Sequence, residues 1–160
     1  MTTEASRRIS RPSHNFVPEY QMSGIPHVET RNLPARANNA EIIENISDHK
    51  FTFNSVTRWL IINNHSNNAD KHLRVYFNET AAKTAYDSGN DNTDDSDLHY
   101  YELNGDEQSR RLEIKCKEIY LIPDKINDTF DVTVIAGLTN IAASDFPDQT
   151  KNNGFTGVED

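Results

Sequence analysis

The sequence predicts an all-β domain, an antiparallel sandwich or barrel, led by an extended N-terminal arm. Three observations carry this. From about residue 40, apolar residues recur with a period of two in short runs separated by polar turns, and helical spacing is confined to one stretch. About seven or eight such runs fall within roughly 100 residues, the spacing of sandwich and barrel folds. Four of the six prolines, Pro12, Pro18, Pro26 and Pro34, lie in residues 1–38, which show no sustained period.

Residues 1–38 form the arm. Each proline fixes its own φ and biases the preceding residue toward extended geometry. Within the arm, "NFVPEYQMSGIPHV" (15–28) carries Phe16, Val17, Tyr20, Met22, Ile25 and Val28. Pro18, Gly24 and Pro26 bar it from a helix or a central strand. It has apolar bulk without the means to make a core. Phe16, Tyr20 and Ile25 are the anchors expected to be buried against another chain; the opposing reading is that the arm folds back onto its own sandwich and completes the core.

Residues 39–146 form the sandwich. "AEIIENI" (40–46) is a first strand. "HKFTFN" (49–54) sets Phe51 and Phe53 against Lys50, Thr52 and Asn54. "SVTRWLIIN" (55–63) is rich in β-branched and aromatic residues. After the polar turn "NNHSNNADK" (63–71), "HLRVYFN" (72–78) alternates Leu73, Val75 and Phe77. "ETAAKTAYD" (79–87) has helical spacing. "LHYYEL" (98–103) and a turn at "NGDE" (104–107) follow. "RRLEIKCKEIYLI" (110–122) alternates Leu112, Ile114 and Cys116, then changes phase to Ile119 and Leu121. That change signals either a bulge or two strands meeting at a bend. Pro123 stops the run. "TFDVTVIAGLTNI" (129–141) closes the body, with a bend expected at Gly137. Residues 147–160 are a C-terminal tail.

With 160 residues, one domain plus some extra chain is expected. Hydrophobic content is 35%, which places part of the chain outside a core. The net charge is −9; residues 1–36 hold five Arg against Glu4, Glu19 and Glu29, so the remainder carries −11. An acidic body disfavours duplex binding over a basic face, so no direct nucleic-acid contact is expected. Cys116 is the single cysteine, which excludes an internal disulfide and fits assembly in a reducing compartment. The first residues show no apolar signal region, and no run approaches the ~18 apolar residues of a membrane helix.

Catalytic signatures are weak. Asp87, Asp91, Asp94, Asp95 and Asp97 crowd one loop, but the EF-hand positions for Gly and Glu are Asn92 and Leu98. A solvated acidic loop without metal is expected. The six histidines form neither HxH nor HExxH. Cys116 shares the parity of Leu112 and Ile114 and reads as a small core residue. No nucleophile elbow, P-loop or dinucleotide fingerprint occurs. These readings point to no catalytic residues and no cofactor. Trp59, followed by Leu60, Ile61 and Ile62, reads as buried at a sheet face or subunit contact. Tyr100 and Tyr101 alternate across a strand.

The strings "FVPEYQMSGIPHV", "FTFNSVTRWLIINN", "LRVYFNE", "LEIKCKEIYL" and "VIAGLTNI" occur in that order over residues 15–146. Together they resemble small single-domain β-sandwich or jelly-roll structural (capsid) proteins of phages and large DNA viruses. The resemblance implies a single jelly roll and a cement or decoration, minor capsid or penton role in the virion. It implies contacts with the major capsid protein or other capsid subunits through the arm, homo-oligomers, and assembly inside the host cell. It carries no catalytic residues. A glycan- or receptor-binding β-sandwich module is the alternative. On this reading, deleting residues 1–30 leaves the body folded.

Overall fold

The computed structural model describes residues 24–36, 46–87, 100–125 and 128–146. They form two four-stranded antiparallel sheets and one short α-helix. The strands are β1 (Ile25–Leu33), β2 (Lys50–Thr52), β3 (Ser55–Asn64), β4 (Leu73–Tyr76), β5 (Tyr101–Leu103), β6 (Glu107–Gln108), β7 (Glu118–Pro123) and β8 (Phe130–Ala142). Helix α1 (Glu79–Asp87) lies between β4 and β5, where the helical spacing places it. One sheet has the order β1-β8-β3-β6, the other β2-β7-β4-β5.

The pairings nest. β4 pairs with β5, β3 with β6, β2 with β7 and β1 with β8, all antiparallel. The chain is thus one long hairpin that turns back between β4 and β5. Rolling that hairpin adds the pairs β3–β8 and β4–β7 and closes both sheets.

β1 moves the start of the body. The sequence places residues 25–33 in the arm; the structure places them in the sheet, in continuous register from Ile25 opposite Leu138 to Leu33 opposite Phe130. The strand escapes the alternation rule because its inward positions include His27, Glu29 and Arg31. These close the seam between β1 and β2. The Arg31 guanidinium lies 4.4 Å from the Phe51 ring centre and donates to the Lys50 carbonyl at 2.8 Å. His27 meets the Phe53 ring edge-on at 5.1 Å. Pro26 fits because β1 is an edge strand. Residues 1–23, the strand expected at 40–46 except Ile46, the acidic loop at 88–97 and the tail 147–160 lie outside the described residues.

Between the sheets, Phe51, Phe53, Leu60, Ile62, Leu73 and Val75 meet Ile119, Leu121 and the inward residues of β8. The phase change in 110–122 is a crossing between sheets. Leu112 bridges to Leu60 of β3, the Thr57 N–H donates to the Cys116 carbonyl at 3.0 Å, and the chain then enters β7 of the other sheet. Near the bend expected at Gly137, β3 shifts register twice, between Ser55 and Thr57 and between Thr57 and Trp59.

His49 sits buried between α1 and β7, its ring 5.1 Å from that of Tyr86 and its Nδ1 3.2 Å from the Leu121 carbonyl oxygen. Burial holds its pKa below 6.5, against the opposing pull of that carbonyl and Asp48. The unfolded chain therefore takes up this proton first. The resulting stability is present above the unfolded value and is lost as pH falls through the depressed folded value. The thermal midpoint should fall between about pH 7.5 and 5.5, with a shallower fall in His49→Phe. Equal slopes would contradict this role.

Candidate functional site

The two outer faces of the sandwich differ. On the β2-β7-β4-β5 sheet, α1 lies as a cover. Ala81, Ala82, Ala85 and Tyr86 of the helix pack on Tyr76, Tyr120 and Ile122, so β7 is buried on both faces. Asn78 starts the helix, its side-chain oxygen accepting from the N–H groups of Thr80 (2.8 Å) and Ala81 (3.3 Å). Arg36, 2% exposed, ties down the other end by donating to the carbonyls of Ala85 (2.9 Å) and Asp124 (2.8 Å).

The outer face of the β1-β8-β3-β6 sheet instead carries an apolar row. Val28, Ile135 and Ile61 stand side by side in register across three strands, and Pro26, Gly137 and Trp59 form the next row. Val28 is 65% exposed, while Ile61, Ile135 and Trp59 are partly buried. Beyond them the rows turn polar. Thr30 and Thr133 hydroxyls lie 2.9 Å apart, His65 Nε2 is 2.9 Å from the Thr133 hydroxyl, and Asn32 donates to Asp131 at 2.7 Å. At the other end Arg111 stacks on Trp59 at 4.9 Å and is held by Glu113 at 2.9 Å. Sequence reasoning placed Trp59 at a sheet face and missed Val28, Ile61 and Ile135. The signal lay in Trp59–Ile62 and Val134–Ala136, unbroken apolar runs that supply both faces of a strand.

Of the arm anchors, Ile25 is the first residue of β1, opposite Leu138, and is 45% exposed at the end of the sandwich. Phe16 and Tyr20 lie outside the described residues. Tyr100 is exposed and packs beside Arg74 and Tyr76, while Tyr101 joins the core from the other side of the strand.

Cys116 is fully buried, with Sγ 3.4 Å from the Thr57 hydroxyl. Burial pushes its thiol up to about 12, so thiolate is scarce at neutral pH. A maleimide should leave the native protein unlabelled and react fully in denaturant. Rapid labelling of the native protein would contradict the placement.

The end of the sandwich near residues 65–72 and 104–106 is a stitched polar knot. The Asn64 side-chain amide donates to the carbonyls of Lys71 (2.9 Å) and Asn104 (3.0 Å). The Asp124 carboxylate accepts from the His72 N–H at 2.9 Å, and burial raises its pKa. His72 Nδ1 lies 3.2 Å from Glu102. These groups are spent on one another and on the loop backbone. Among the described residues no three of His, Cys, Asp or Glu are grouped as metal ligands. A shallow cleft of about 460 Å³ lies beside the seam, lined by Arg31, Asn32, Pro34 and Asp48. Its Arg31 is already bonded to Glu29 and the Lys50 carbonyl.

Comparison with protein-family models, curated proteins and solved structures finds no match to this chain. The candidate site is the apolar row of Val28, Ile135 and Ile61, in register across three strands.

Proposed function

We propose that the chain is a non-enzymatic structural subunit of a virus particle, a cement or decoration, minor capsid or penton protein. The observation that carries this reading is the nested pairing of eight strands in the orders β1-β8-β3-β6 and β2-β7-β4-β5. We read that connectivity as a single jelly roll, an architecture that recurs in viral capsid and lectin domains. The ordered resemblance over residues 15–146 favours the capsid. Trp59 does not favour a glycan platform, since Arg111 stacks on it.

In this role the partners are the major capsid protein or other capsid subunits and further copies of the chain. Phe16, Tyr20 and Ile25 engage a neighbour, Ile25 from the exposed start of β1. An extended segment loses entropy when it docks, so large anchors must offset it. The test is quantitative peptide analysis of gradient-purified particles from infected cells that express the chain. The chain should band with the particle at a fixed ratio to the major capsid protein, and the triple variant Phe16→Ser, Tyr20→Ser, Ile25→Ser should fall away. Absence of the parent chain from purified particles would overturn the reading.

A further inference from the structure

We infer that the outer face of the β1-β8-β3-β6 sheet is a self-association surface, and that the same face of a second copy covers its apolar row. The inference rests on the subunit role above for its setting, but solution mass tests it apart from any particle. The composition is that of an interface. Val28, Ile135 and Ile61 form an apolar centre, and Thr30, Thr133, Asn63 and Asn32 form a polar border that can pair with its own copy.

Charge selects the occupant. The chain carries −9, so two copies repel. Across the register-matched outward positions of β1, β8 and β3 there is one carboxylate, Asp131, already engaged by Asn32. Two acidic molecules can meet through this face without opposing rows of carboxylates. At the Trp59 end Arg111 and Glu113 offset each other, so the face is near neutral and gives a strongly basic or acidic foreign partner little net attraction.

The contact is through the face rather than the edge. β1 carries Pro26 and turns His27, Glu29 and Arg31 inward, the features that protect an edge strand from pairing with another chain. Four strands about 4.8 Å apart and some seven residues of about 3.3 Å rise present roughly 400 Å² per copy. That is below the ~800 Å² per partner of a standard stable interface. The pair is therefore weak in dilute solution and is strengthened when an assembly raises the local concentration.

Sedimentation velocity of the full chain from about 5 to 500 μM tests this. The weight-average mass should climb from monomer toward dimer. Val28→Asp changes a residue 65% exposed, so its melting curve should match the parent's, while its self-association should weaken at least about tenfold. The double variant Phe16→Ser, Tyr20→Ser should associate as the parent does. A parent that stays monomeric throughout, or a Val28→Asp variant that associates unchanged, would overturn the inference. Association lost in the double variant but kept in Val28→Asp would also overturn it, assigning the contact to the N-terminal segment of the other copy.

Discussion

Removing residues 1–33 is expected to abolish cooperative folding, whereas removing residues 1–23 leaves every described pairing in place. β1 holds β8 over its whole nine-residue length. It also places Leu33, fully buried, between the sheets and lays His27 and Arg31 over Phe53 and Phe51. Truncating one buried Leu costs about 2–5 kcal/mol, and a domain has only about 5–15 kcal/mol in total. Losing the strand adds a broken ladder and an uncovered β8 edge. This reverses the expectation that residues 1–30 are dispensable to the body. Far-UV circular dichroism and Trp59 fluorescence on heating give the answer. A 34–160 chain that melts cooperatively within a few degrees of the full chain would show that β1 is not integral.

Gly105→Ala is expected to destabilise by about 2–3 kcal/mol, a drop of roughly 4–12 °C in midpoint for a chain of this size. A Cβ at Gly105 would lie 1.8 Å from the Asn68 carbonyl oxygen, 2.6 Å from its carbon and 2.9 Å from the Ser66 carbonyl oxygen. All three are backbone atoms, in a loop pinned by the Asn64 side chain. The turn has little slack, since the next residue, Asp106, already sits at φ 56°. Gly24 is the internal control. A Cβ there meets nothing within 4 Å, so Gly24→Ala should be neutral or slightly stabilising. Equal midpoints for the two variants would mean that the 66–68 and 104–106 turns are not in contact.

The strands that alternate cleanly were readable from the sequence because one side of each faces the core. Phe51 in β2, Phe53 just after it, and Leu73 and Val75 in β4 are buried as their parity requires. The spacing of Ala81, Ala82 and Ala85 likewise marked α1 as a helix with one apolar side, though not the sheet that it covers. β1 was not readable as a strand, because polar side chains occupy inward positions at an open seam and reverse the usual pattern. The crossing before β7 left a trace as a change of phase, but sequence alone offered a bulge equally well. The outer apolar row was hidden for another reason. Val28 and Ile135 become neighbours only through the β1–β8 register, which no local pattern encodes.

The most direct measurement of the structural role is an electron-microscopy map of the native particle at side-chain resolution. Under the proposed role, the eight-strand body is expected at a repeated position in the shell. Phe16 and Tyr20 should be seated on a neighbouring subunit, and the Val28–Ile135–Ile61 row should be covered by another copy. A complete shell built without this fold would contradict it.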